Sequence, residues 1–185
     1  PQTGTILNNE LDWGDAPTAA QSGFAGTYPT LTGANGARHQ EFPGGLKLGA
    51  TLDADLDVQP NATATGDGAD EDGVVLPASL ITGTSANITV TSTGGPGKLD
   101  AWVDFNRDGD WADAGEQVAQ GSGTSAINVN FTVPAGATPL TTRMRVSMQY
   151  NAYPPTCGTF TWGEVEDYTV VIVAGSGQTL CLIHI

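Results

Sequence analysis

From Val74 onward the chain repeats one pattern: short runs in which every second residue is apolar, separated by clusters of Gly, Pro, Ser and Asn. The runs are Asn87–Thr91, Leu99–Phe105, Ala126–Val133, Arg143–Met148 and Tyr168–Val173. A period of two sends alternate side chains to opposite faces, so each run predicts a strand with one buried face. Val170 to Val173 is apolar on both faces, as a central strand requires. Turn clusters at Gly94 to Gly97 and Pro134 to Gly136 have the spacing of an antiparallel sandwich.

Residues 1–73 lack this regularity. A short apolar start at Thr5–Leu7 and one strand-like run, Leu46–Leu52, are surrounded by Gly, Pro and Asn. The expected architecture is therefore all-β. An antiparallel two-sheet β-sandwich spans 74–174, a loop-rich, acidic segment 1–73 packs on it, and residues 175–185 form a tail strand.

The 185 residues carry a net charge of −14 with six Lys plus Arg, and those six (Arg38, Lys47, Lys98, Arg107, Arg143, Arg145) are scattered. Nucleic-acid binding needs a basic stripe, so this balance excludes it. No apolar run reaches membrane-spanning length, which argues against insertion. Abundant Gly and Thr with little Lys is a composition typical of secreted β-proteins. The first residues have neither the basic start nor the apolar core of a signal peptide, so the expectation is a mature exported form. In that setting Cys157 and Cys181 are expected to pair, adding about 3 kcal/mol, the alternative being two buried thiols. Asn61, Asn87 and Asn130 head N-x-Thr sequons and are candidates for a carbohydrate coat.

The most specific chemistry lies in residues 104–116. Asp104, Asn106 and Asp108 supply oxygens at alternate positions, Gly109 allows a sharp turn, Asp110 offers a carbonyl and Glu116 a closing carboxylate. That is the donor order of a calcium loop. Glu116 is one place later than an EF-hand would have it, and a strand rather than a helix leads in. The competing reading is a solvated Asp-Gly turn. Against it, two carboxylates about 5 Å apart repel by about 3 kcal/mol at a dielectric near 20, with Arg107 the loop's only basic residue. A second acidic run holds Asp53, Asp55, Asp57, Asp67, Asp70, Glu71 and Asp72 without a basic residue. It either stays solvated or converges on a further Ca²⁺, oxygen donors favouring that ion in a chain with two His and two Cys.

A third acidic motif, Gly163-Glu164-Val165-Glu166-Asp167, precedes the last strand. Alternation places Glu164 and Glu166 on one face and Val165 and Asp167 on the other, so that one pair would join a metal shell or meet Arg143 and Arg145 on an adjacent strand, with Glu166 favoured for the ion-pair role. Together with Trp102–Trp111 upstream and Thr141–Val146 between, the motif resembles the GEVED domain of bacterial secreted and cell-surface proteins over residues 73–174. Leu11–Pro17, Asn35–His39 and Asp70–Val74 resemble segments that precede that domain. The resemblance implies an extracellular β-sandwich, usually one module of a surface or adhesive protein, and no established catalytic activity.

No nucleophile elbow, zinc-protease helix or phosphate loop is present, and only His39 and His184 offer imidazole, so an enzyme is not expected. The rival to a structural role is a carbohydrate-binding accessory module that uses Trp13, Trp111, Trp162, Tyr150 or Tyr153 for stacking. The apolar segments near both ends add an expectation of self-association, a head-to-tail homopolymer in which a terminal strand completes a neighbour's sheet.

Overall fold

The computed structural model describes residues 11–40, 45–52, 58–66, 68 and 71–176. The strands are β1 Leu11–Trp13, β2 Arg38–Gln40, β3 Lys47–Leu48, β4 Val74–Val75, β5 Leu80–Ile81, β6 Ser85–Val90, β7 Ser92–Thr93, β8 Gly97–Val103, β9 Gln117–Gly123, β10 Ile127–Thr132, β11 Leu140–Gln149, β12 Thr159–Thr161 and β13 Gly163–Val173. One short helix, Ala19–Ser22, and a 3₁₀ turn, Thr32–Ala34, interrupt them.

The fold is all-β. A five-stranded sheet ordered β5-β13-β11-β8-β9 faces a three-stranded sheet ordered β10-β6-β4. Alternation explains the shared core: Leu99, Ala101 and Val103 of β8, Met144, Val146 and Met148 of β11, and Val170 and Ile172 of β13 point inward. They meet Ile88 and Val90 of β6 and Val129 and Phe131 of β10. The pairings β13–β5 and β12–β2 are parallel, a departure from the purely antiparallel expectation.

The outer face of the five-stranded sheet is covered as well, by the N-terminal segment. Trp102 of β8 packs there with Tyr28, Ala16 and Trp111, while Val165 of β13 packs with Ala37 and Phe160. The strand expected at Leu46–Leu52 shrinks to Lys47–Leu48, because Gly49 turns at φ 59° and Asp72 accepts from the Ala50 and Thr51 amides beyond it. The last strand starts at Gly163 instead of Tyr168, so the whole Gly163–Asp167 motif is inside it.

That register settles the ion pair. Arg145 stands opposite Asp167 and not Glu166. Its Nε and Nη2 donate to Asp167 at 2.7 and 2.5 Å, and its Nη1 donates to the carbonyls of Pro29 at 3.0 Å and Thr156 at 2.8 Å. Both side chains are fully buried. The expected Glu166–Arg contact fails because Glu166 lies on the opposite face, where it accepts from the Gly73 amide (2.9 Å) and the Tyr168 hydroxyl (2.8 Å). Glu164 accepts from the Leu48 amide. Arg143 donates instead to the Thr142 and Ala62 carbonyls, and burial lowers its pKa. The acids of the motif therefore bind N-terminal backbone: Asp167 also accepts from the Ala16 amide at 2.8 Å.

Beside this pair His39 is sealed from solvent, its ring edge-on to Phe160 and its Nδ1 3.5 Å from Asp12, too far for a hydrogen bond. Burial, reinforced by the Arg145 charge, holds its pKa well below the ordinary 6.5.

Two outcomes follow from these buried groups. Asp167→Asn removes the charge that compensates Arg145 and should cost about 3–5 kcal/mol in urea unfolding, far more than an exposed pair. For His39, the unfolded chain takes up a proton below pH 6.5 that the folded chain refuses, so stability falls as pH drops through that value. Urea midpoints between pH 8 and 5 should show a shallower acid slope in His39→Gln than in the parent protein.

Candidate cation-binding loop

The loop between β8 and β9 is built from its two ends. Asp104, fully buried, accepts the Arg107 amide at 2.5 Å on one oxygen, and the Tyr28 hydroxyl (2.5 Å) and Gly109 amide (3.1 Å) on the other. Glu116 accepts the Phe105 amide at 3.0 Å and the Asp113 amide at 3.3 Å, closing the loop on itself. Arg107 and Gly109 have positive φ, 63° and 97°, and the Gly26 amide donates to the Asp108 carbonyl at 2.5 Å. Because a side chain at Gly109 would lie 2.8 Å from the Gly26 carbonyl, the N-terminal segment and the loop meet backbone to backbone.

Between those ends runs a ladder of two-residue turns. Asn106, Asp108 and Asp110 each accept, on Oδ1, the amide two residues on, at 3.0, 3.1 and 2.8 Å. The ladder gathers the carboxylates of Asp108, Asp110 and Asp113, whose oxygens approach within 4.8 Å of one another. The Asn106 amide donates to Asp108 at 3.0 Å and to Asp113 at 2.5 Å. Arg107 does not neutralise the cluster: its Nε donates to the Thr141 carbonyl and its guanidinium lies 4.9 Å from the centre of the Phe24 ring.

The five loop residues anticipated from sequence thus divide in two. Asp108 and Asp110 converge, Asn106 borders them, and Asp104 and Glu116 brace the backbone. Asp113 joins the cluster although the calcium-loop template assigns it no role; its place in an otherwise alternating run of oxygen side chains was the available signal. Burial, together with repulsion from Asp104 and Asp108, raises the Glu116 pKa to about 7, and burial raises that of Asp104.

Of the second acidic run, Asp53, Asp55, Asp57, Asp67 and Asp70 lie outside the described residues. Asp72 accepts from the Ala50 and Thr51 amides and the Thr51 hydroxyl, and Glu71 accepts the Asp167 amide at 3.1 Å. Asn87 and Asn130 are exposed partners across β6 and β10, joined side chain to side chain at 3.0 Å, whereas Asn61 is half-buried and caps Thr63 and Thr65. Cys157 is half-buried with no disulfide among the described residues; Cys181, its expected partner, lies outside them, as do the terminal segments invoked for self-association.

The last described strand of the sheet thus carries acids that bind N-terminal backbone, and an acidic loop lies at the sheet's β8 end. Residues 98–171 match the family described as GEVED domain. The match runs from β8 into β13 and so takes in the acidic loop and the Gly163–Asp167 motif. No curated protein matches the chain. Among the described residues no helix is long and apolar enough to cross a membrane.

The division of labour within the loop is testable without a cation. In chelator, Asp104→Ala strips the acceptor from Tyr28 and two amides and should lower stability by about 1.5–3 kcal/mol. Asp110→Asn relieves repulsion and should leave the melting temperature equal or higher. Differential scanning calorimetry distinguishes the two.

Proposed function

We propose that the protein is a non-catalytic, calcium-stabilised extracellular module with a structural or adhesive role. The observation that carries this reading is the convergence of Asp108, Asp110 and Asp113 in a loop whose own arginine turns away from them. Three carboxylates this close repel, and a divalent cation converts that repulsion into attraction. Oxygen-only donors fit Ca²⁺, a hard ion that accepts irregular oxygen shells, better than a transition metal or a strictly octahedral Mg²⁺. Asn106 and the carboxylates would hold the ion, while Asp104 and Glu116 keep the loop shaped for it. Its effect would extend past the loop, because Gly26 and Tyr28 tie the same backbone to the N-terminal cover. An acidic surface and the match to the GEVED domain support the extracellular placement.

Calcium titration followed by thermal unfolding tests the proposal. Extracellular sites of this kind bind at about 10⁻⁴–10⁻³ M, and saturation at about 100 times the dissociation constant adds about 2.7 kcal/mol. The melting temperature should rise with Ca²⁺, respond weakly to Mg²⁺, and lose its calcium response in Asp110→Asn and Asp113→Asn. A parent protein whose melting temperature is unchanged by chelator defeats the reading.

A further inference from the structure

Large aromatic side chains are ordinarily spent on cores, and Trp13, Trp102, Trp111 and Tyr28 are buried in this way. Three rings are not: Tyr150, Tyr153 and Trp162 are 40%, 43% and 45% exposed, and they are the exposed aromatics among the described residues. All three come from the stretch between the end of β11 and the start of β13. Trp162 is the turn residue between β12 and β13 and holds φ at 56°, a left-handed conformation that is an outlier for a bulky side chain. Its backbone is fixed on both sides, the amide donating to Gln40 at 3.3 Å and the carbonyl accepting from Tyr150 at 2.9 Å. The two rings lie 6.0 Å apart at 59°. Glycine would occupy this turn without strain, so the indole is presented to solvent at a conformational cost.

Opposite the rings is a wall of bare backbone, Gly45, Gly94, Gly95 and Pro96, which with Leu46 closes a cavity of about 320 Å³. A side chain at Gly94 would sit 1.8 Å from the Gly45 carbonyl, so this close approach requires glycine. A second cavity, about 280 Å³, adjoins at Pro96, and its lining includes the polar side chains of Lys98, Ser122, Thr124 and Asn151. Lys98 also lies 5.2 Å from the centre of the Tyr153 ring. An aromatic compartment followed by a hydroxyl, amide and ammonium compartment matches one ligand class. A pyranose offers a C–H face for stacking and a rim of hydroxyls for hydrogen bonds. The net charge of −14 disfavours polyanions, and one lysine does not reverse that field.

We infer that the Tyr150–Trp162 groove, continued past Pro96, binds a neutral oligosaccharide. Trp162 and Tyr150 supply the stacking platform, and the Lys98, Ser122, Thr124 and Asn151 compartment takes the hydroxyls of a neighbouring unit. This site goes beyond the structural role proposed above and does not depend on the cation loop.

The test uses the full chain with cellohexaose, mannohexaose and chitohexaose, and with oligogalacturonate as the anionic control. Binding is read by isothermal titration and by indole fluorescence, where Trp162 is the exposed tryptophan beside three buried ones. At least one neutral hexaose should bind and shift the emission. Trp162→Gly should weaken that binding by about tenfold or more while holding or raising the melting temperature, because it removes the strained φ. If the indole instead supports the core, Trp162→Gly lowers the melting temperature. Tyr150→Ala is the second variant, expected to weaken binding in a still-folded chain. No binding of any neutral hexaose, binding unchanged in both variants, or binding of oligogalacturonate alone overturns the inference. The calcium dependence of the melting temperature is a separate readout, so failure here leaves the cation loop untouched.

Discussion

The covered face of the five-stranded sheet depends on a single buried pair, Arg145 with Asp167. Removing a guanidinium from water is costly unless its donors find acceptors, and here two oxygens of Asp167 and the carbonyls of Pro29 and Thr156 meet four of its five N–H groups. Asp167 then accepts the Ala16 amide as well. Two adjacent strands, the N-terminal cover and the connection into β12 therefore converge on one charge pair. Such a pair adds less net stability than an apolar contact of equal volume, but it tolerates one geometry, and so it specifies how the cover sits.

The acidic loop inherits its shape from the same cover. Tyr28 reaches Asp104 at the loop's root, its ring packs on Trp111, and Trp111 in turn lies under the Arg145 guanidinium at 4.5 Å. Gly26 holds the Asp108 backbone. The acids within the loop consequently have two kinds of work. Those at its ends, desolvated and engaged by amides, behave as parts of the backbone scaffold; those in its middle keep outward oxygens and remain mutually repulsive.

The sequence made the sandwich legible where a strand has one face in the core, because period-two alternation is then forced on it. β6 and β10 are of this kind, and β11, buried on both faces, still alternates because its covered outer face carries Arg143, Arg145 and Ser147. β9 leaves no period in the sequence because Gln117–Gly123 lies at an edge and carries Gly, Gln and Ser, its apolar residues Val118 and Ala119 being adjacent instead of alternate. β1, β2 and β12 are three residues each, too short for a period to appear. The Arg145 partner was misassigned because it is a question of register, decided by β13 starting five residues early. In the loop, residue types and order marked the chemistry, but which acids brace and which converge depends on Tyr28 and Gly26, some 76 residues or more away in the case of the Tyr28 contact. The aromatics posed the same difficulty: Trp13 and Trp162 are the same residue type, each followed by a glycine, yet Trp13 ends β1 and is buried while Trp162 stands in a turn and is exposed.

The N-terminal cover fastens to β13, the last strand among the described residues, across a separation of 151 residues at Ala16 and Asp167 and 153 at Asp12 and Val165. Contacts so distant in sequence are paid for in loop-closure entropy before any of them stabilises the fold. During synthesis the cover emerges before β13, and the groups it fastens there, the Ala16 amide and Asp12 among them, wait for Asp167 and Val165. Until then that part of the cover lacks its partners and stays open to proteases and to other chains. Completion of the Gly163–Asp167 strand is therefore a checkpoint in time: it is the step at which the N-terminal cover first acquires the carboxylates that fasten it.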